Sequence, residues 1–568
     1  MITAQLKYDQ KILNVQLNKS TIEDDLFVSF TEEKTALYSR LKLDIHPKKD
    51  VVIQGLEVRI KCEMAPSVKT AFCNGFQSWS ESRQFSFAEQ PDNLRGFMKP
   101  LMGFYGDYHF DFIPRTKGTL HSWTYGFLQL QNAINFVGSL SESTGFTCII
   151  FDKNNGEIII KKDLKGLELK HSFPALDLLI MQGENADVFD TYFKLQNLPK
   201  LTQKYATGWT SWYNYYNKIS QEIIDKNLAA FKAKNLPIDI FQIDDGWQTK
   251  IGDWLSVKPT FPKGMKVLSD SIHANGFKAG LWLAPFIVEK NSDLFKQKST
   301  WILRGSNGKP IAVGYSPSWG GKFFALDFYN EEVREYLTGV FHTVLDKWQF
   351  DMVKLDFLYA VCVVPRPNKT RGQIMHEAMA FLRQIVGNKV ILACGVPLGS
   401  AFGQVDYCRI GADIHLKWEH KLLKFLRNRE RVSTIVALRT VLNRWELNGQ
   451  VFQNDPDVFI LRKENHGLSD TQKRTILTIN ALLGNLLFCS DFVGDYTEGD
   501  LADYKMIFDF KDKIVQKIEC FSDDFYGIFY SLNGENKVCY CNLNNQKKVQ
   551  NNVEIEAFGA LILNQKMV

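Results

Sequence analysis

The pattern of apolar and polar positions changes character twice along this chain. Up to about residue 185, short runs alternate between the two, separated by clusters of Gly, Asn, Asp and Lys. The runs 26–30 (LFVSF), 51–53 (VVI) and 147–151 (TCIIF) read as half-buried strands. Asn154-Asn155-Gly156 stands between 147–151 and 157–161 (EIIIK), and that turn predicts a hairpin. Long helical periods are few, so this part is predicted to be a large β-sandwich.

Near residue 186 the period lengthens. Residues 186–195 predict a short helix with Asn185 as N-cap and Val188, Phe189, Tyr192 and Phe193 on one face. An alternation of strands and helices follows. Strands are predicted at 205–212, 238–244, 277–284, 352–356, 390–394, 407–410, 458–461 and 486–489. Helical patterns at 221–234 (capped by Ser220), 262–275 and 331–348 fill gaps between them, and 421–448 reads as one long helical region. Eight strands with intervening helices predict a (β/α)8 TIM-like barrel. From about 511 the short strands return, in 524–532, 538–543 and 560–563, as a small C-terminal β-sandwich. The expected fold is therefore multidomain α/β: an N-terminal β-sandwich over 1–195, a catalytic barrel over 196–510 and a C-terminal β-sandwich over 511–568.

Composition narrows the function. Across 568 residues, 68 Lys and Arg face 63 Asp and Glu, a net charge of +5 with no basic run. That gives no reason to expect a nucleic acid or an anionic membrane as partner. No run approaches the ~20 apolar residues of a membrane span. The first residues carry no signal-peptide pattern, and the 10 cysteines show no metal-ligand spacing, so a cytoplasmic protein without metal or other cofactor is expected. Aromatic content is 13%, with 12 tryptophans, several beside glycines and acids.

The chemistry gathers where the predicted barrel strands end, the face on which such barrels place their sites. Residues 350–359 (FDMVKLDFLY) put Lys354 and Asp356 on one pleat face, as a structural ion pair or as functional groups. Other strand ends contribute Trp212, the pair Asp244-Asp245, Trp282, Cys394, Arg409 and Asp413. Carboxylates and indoles without metal or phosphate motifs suit a sugar, because carboxylates bind vicinal hydroxyls and indole faces cover pyranose C–H surfaces. Cleaving an acetal takes two carboxyls. Asp356 suits the nucleophile, with Lys354 expected to hold it ionised. Asp413, in a loop beyond an apolar strand, suits the acid/base, and a retaining pair would sit ~5–6 Å apart.

The runs GWTSWYNYY, FQIDDGWQTKIGDWL, GLWLAPF, VKLDFLYA, ILACGVPLG, CRIGADI and QNDPDVFILR, in this order over about 205–491, resemble glycoside hydrolase family 36, the retaining α-galactosidases or melibiases, of compact bacterial type. The resemblance implies Asp356 as nucleophile and Asp413 as acid/base. It implies that Asp244 and Asp245 bind the 4- and 6-hydroxyls, and that Lys354 and Arg409 bind hydroxyls near C2 and C3. Trp212 and Trp282 become pocket walls and Cys394 a neighbour of C2. Trp79, in NGFQSW, becomes a tryptophan contributed by the N-terminal domain, although spacing alone reads it as a core residue in a turn. Trp254, in GDW, is a further binding candidate. Asn454-Asp455-Pro456-Asp457 is assigned a structural loop. The expected activity is exo-hydrolysis of terminal α-linked galactose from melibiose- or raffinose-type oligosaccharides by double displacement. Small residues at 395–401 keep an α-N-acetylgalactosaminidase open. A transglycosylating relative is disfavoured by chain length, and a non-catalytic sugar-binding protein by the presence of both carboxyls. Oligomeric state is not legible.

Overall fold

The computed structural model describes residues 2–62, 64 and 68–565. Among the described residues, those up to 183 form two antiparallel sheets of seven and eight strands. Their inward positions, such as Leu26, Val28 and Phe30 on one and Val51, Ile53 and Val58 on the other, share one apolar core. The predicted hairpin is present: Thr147–Asp152 pairs with Glu157–Lys162, and Gly156 takes the left-handed conformation the turn requires. The helix Asn185–Gln196 buries the predicted face. Its N-cap is Glu184, not Asn185, whose amide instead donates to Glu446 at 2.7 Å.

A parallel sheet follows, built from β1 (Ala206–Thr210), β2 (Ile240–Ile243), β3 (Lys278–Leu283), β4 (Met352–Leu355), β5 (Val390–Ala393), β6 (Tyr407–Arg409), β7 (Gln453–Asp455), β8 (Val458–Phe459) and β9 (Leu486–Cys489). Their spatial order is β7-β6-β5-β4-β3-β2-β1-β9-β8. Strands β7 and β8 are two halves of one extended run divided at Pro456. The first half pairs with β6 and the second with β9, so the two ends of the sheet are the same stretch of chain. Proline has no N–H for the ladder, which explains the break. It also corrects the predicted seventh strand, which starts at 453 rather than 458. These strands are buried on both faces, as strands covered by helices on one side and by packed side chains on the other must be.

Ser220 caps the helix Gln221–Ala233 as predicted, accepting from the Ile223 N–H. The long region expected over 421–448 is two helices, Lys421–Phe425 and Thr434–Asn443. The chain between β3 and β4 carries a feature not predicted, a three-stranded antiparallel sheet of Ile287–Glu289, Ala312–Ser316 and Gly321–Ala325. The last residues form a four-stranded antiparallel sheet, Ile514–Ser522 to Ala560–Asn564, with a separate strand pair. Cys539 and Cys541 lie on one face of it, buried in the core. The architecture is multidomain α/β. Among the described residues, no helix is long and apolar enough to cross a membrane.

Candidate active site

The ends of β1 to β4 and the loop after β6 open into a cavity of about 300 Å³ whose wall includes Asp244, Asp245, Lys354, Asp356 and Asp413. That size lies at the lower end of small-ligand sites. Trp79, Trp212 and Trp282 line it as well.

Asp356 follows β4, where Phe357 adopts a left-handed backbone (φ 53°), rare for a non-glycine residue. That turn brings the Phe357 N–H to 2.9 Å from one Asp356 oxygen. The Trp282 indole N–H donates to the other at 3.0 Å. Burial raises the Asp356 carboxyl above its ordinary value, and the Asp413 charge adds to this. Lys354 and the two donors oppose the shift without reversing it. Lys354 thus favours the charged form of Asp356, as expected, but burial and the Asp413 charge outweigh it. The Lys354 ammonium is committed elsewhere, donating to Asp244 at 2.7 Å with both groups buried. Burial alone would lower Lys354, but the Asp244 carboxylate outweighs it and holds the lysine charged.

Asp244 is fixed from four directions. Its N–H donates to Ser211 Oγ of the GWTSW run at 2.9 Å, and its carboxylate accepts from Lys354, from Gln242 Nε2 at 3.0 Å and from the Asp245 N–H at 2.9 Å. Asp245 accepts from Gln248 Nε2 at 2.6 Å and from the Trp319 indole at 3.0 Å. Burial raises its carboxyl, partly offset by these donors.

Arg409 ends β6 and lies buried among three carboxylates. Nε donates to Asp455 at 3.0 Å, Nη1 to Asp413 at 2.8 Å, and Nη2 lies 2.9 Å from Asp457. The NDPD run is thus more than a structural loop: its two aspartates orient the arginine that holds Asp413. Asp457 also accepts from the Tyr213 hydroxyl and from the Ile414 N–H at 2.8 Å. With its N–H groups so engaged, Arg409 is committed to these carboxylates, and it lies behind Asp413 rather than among the residues lining the cavity.

Trp79 reaches the cavity from the N-terminal sheets, so the core reading from spacing is replaced. Its indole N–H points at Cys394 Sγ, 3.1 Å away. The surrounding NGFQSW run is tied to the loop after β5 by Ser78 N–H to Val396 O at 2.9 Å and Gly395 N–H to Ser78 Oγ at 2.9 Å. Arg444 secures it from below, donating to Asn74 Oδ1 at 2.9 Å and to the carbonyls of Ser78 and Ile410 at 2.8 Å, with longer contacts to Gly75 and Gln77. No carboxylate joins that set, and burial pushes the Arg444 guanidinium down to about 10.

Two candidates sit differently from their assignment. Trp254 is wholly buried and packs behind Trp282, ring centres 5.9 Å apart, so it backs the wall rather than forming it. Cys394 lies beneath the Trp79 indole, and burial pushes its thiol well up. Sequence reasoning missed Trp319 and Tyr105, both in the cavity wall. Trp319 carried a signal, an indole beside Gly320-Gly321 in the longest strand-to-strand connection. Among the described residues, no cluster of His, Cys, Asp and Glu is arranged to hold a metal ion.

Two carboxyls on one cavity, with a lysine–aspartate pair and indoles beside them, are the groups that a glycoside-processing α/β protein requires. Comparison with known proteins is more specific. Residues 201–392 match the Melibiase family model. The α-galactosidase Mel36A of Lactobacillus acidophilus is 29% identical over 172 residues, which cover 29% of this chain and 21% of that protein. The chain's match thus spans about a fifth of that relative's length. The α-galactosidase TtGalA of Thermus thermophilus, solved with p-nitrophenyl α-D-galactopyranoside, superposes with a TM-score of 0.71 at 24% identity, over 93% of this chain and 97% of that one. Its stachyose complex gives 0.70 at 26% identity, over 86% and 99%. Over residues 201–392 the chain is similar to the melibiases, and across most of its length to solved α-galactosidases, in line with the family its strand-end motifs resemble.

Proposed function

We propose that this protein is a retaining, exo-acting α-galactosidase that hydrolyses terminal α-linked galactose from small oligosaccharides. The observation that carries this reading is the placement of Asp356 and Asp413 on one cavity with Asp244, Asp245 and Lys354 at its floor. Asp356 attacks the anomeric carbon, its lone pair held in place by the Trp282 and Phe357 N–H donors. Asp413 protonates the departing oxygen and then takes the proton of the attacking water. Asp244 and Asp245 accept from the 4- and 6-hydroxyls, and Lys354, anchored on Asp244, donates to the ring hydroxyls. Trp282 and Trp79 cover the C–H faces.

The same reading takes the parallel sheet as a (β/α)8 barrel over 196–510, between a β-sandwich over 1–195 and a smaller one over 511–568. A cytoplasmic location belongs to it also, since ten free thiols suit a reducing compartment. Room for an N-acetyl group at 395–401 is not supported. A Cβ at Gly395 would lie 2.8 Å from Trp79, and one at Gly399 2.8 Å from both Glu142 and Thr124.

The test is release from p-nitrophenyl α-galactoside and its N-acetylgalactosaminide analogue, by wild type and by Asp356→Gly with azide. Release from the galactoside, lost in the variant and restored by azide as the β-azide, is the expected result. Preference for the N-acetyl sugar, or turnover surviving in the variant, would overturn the reading.

A further inference from the structure

The cavity has two halves of opposite character. Its floor, at the strand ends, carries the charges, set among the indoles of Trp212 and Trp282. Its mouth, built by loops, is lined by Met102, Tyr105, Tyr315, Leu423 and Val432. The apolar surface continues outward. Phe97 is 70% exposed, Leu422 61% and Phe425 59%, and Leu101 is also exposed. These side chains belong to one rim, because Arg95 joins the two segments: its N–H donates to Leu426 O at 3.1 Å, its Nε to Phe425 O at 2.8 Å, and its guanidinium covers the Phe425 ring at 4.3 Å.

Several polar groups of the mouth are engaged within the protein, while Glu430 Oε2 has no partner. The Tyr105 hydroxyl contacts the Tyr315 backbone at 3.4 Å. The Ser316 and Ser318 hydroxyls pair at 2.8 Å. Asn428 Oδ1 accepts from the Glu430 N–H at 3.0 Å, and the Glu430 carboxyl accepts from Ser80 Oγ at 2.6 Å. A hydroxyl-rich group entering here would give up water and find few partners, which is unfavourable. An apolar group would gain by covering exposed carbon.

Resting on the galactosidase reading, we infer that the leaving-group half of this site is built for an apolar aglycone, an alkyl or aryl α-galactoside, in preference to a second free sugar. The sugar ring sits on the charged floor, and its C1 substituent leaves along the apolar mouth. This places the protein after a reaction that attaches galactose to a hydrophobic alcohol.

The experiment uses non-hydrolysable methyl and hexyl 1-thio-α-D-galactopyranosides, with binding to the full chain measured by calorimetry. A fully buried methylene is worth about fourfold in affinity, so hexyl should bind at least about tenfold tighter than methyl even when partly covered. Leu423→Asn with Val432→Asn should bring that ratio to about threefold or below. Leu422→Ser, at an exposed position where folding is not at risk, should lower it in the same direction. A ratio near one in wild type, or an unchanged ratio in both variants, overturns the inference. So does equal binding of hexyl 1-thio-α-D-glucopyranoside, which would make the rim a general apolar patch. Failure of the methyl galactoside to bind would instead remove the galactosidase reading itself, and this inference with it.

Discussion

The Lys354 ammonium donates to the Asp244 carboxylate across 2.7 Å, and both groups are almost wholly out of water. Each is the other's main compensation for burial. Lys354→Met leaves Asp244 charged and unpaired, which should cost ~3–5 kcal/mol. Lys354→Met combined with Asp244→Leu should recover most of that stability, while turnover stays absent in both. Urea unfolding followed alongside galactoside hydrolysis separates the two effects. Recovery of turnover in the double variant would show the pair to be scaffold.

Asp413 is held by Arg409 rather than buried on its own. If it donates the proton to the leaving group, its worth depends on how much that group needs one. Asp413→Asn should lower kcat/KM for melibiose by ~10²–10⁴. The first step with p-nitrophenyl α-galactoside, whose leaving group departs unprotonated, should fall much less. Equal losses on both substrates would take Asp413 out of the proton-transfer step.

Arg444 contacts five acceptors around the Trp79 run and Ile410. A lysine cannot reproduce that planar fan. Arg444→Lys should destabilise by roughly 2–4 kcal/mol, through buried carbonyls left unpaired. It should also raise KM, because Trp79 loses its support. Thermal unfolding and steady-state kinetics read the two consequences, and an unchanged KM would uncouple Arg444 from the cavity wall.

Burial, with the neighbouring Asp107 charge, pushes the Glu430 carboxyl up to about 7 from an ordinary 4.5. Folded chains therefore keep this proton over a range in which unfolded chains release it. The stability this confers is full below about pH 4.5 and is lost as pH rises to about 7. Glu430→Gln removes the titration while keeping the shape. Relative to wild type, it should gain up to about 3 kcal/mol between pH 4.5 and pH 8. Parallel stability curves for the two proteins over that range would refute the assignment.

The strand ends were legible because two local signals coincide there: an apolar run with β-branched residues, then a charged or indole side chain that such a run has no packing reason to carry. Lys354, Asp356, Asp244 and Asp245 all announce themselves this way, and all line one cavity. What was not legible is who pairs with whom. Lys354 looked like the partner of Asp356, two residues away, yet its carboxylate lies 110 positions back, at the end of a neighbouring strand but one. Trp254 and Trp282 look alike as sequence, but one stands in front of the other. Trp319 enters over the site on a sheet whose strands are too short and irregular to show a period.

The divided run at 453–459 has one more consequence. Asp455 ends its first half, and Asp457 stands between Pro456 and its second half, so the two anions that aim Arg409 arrive only when this run has docked against both β6 and β9. Assembly of the sheet and arming of the site are then a single event. A partly folded chain, with its seam still open, holds Asp413 on an unaimed arginine.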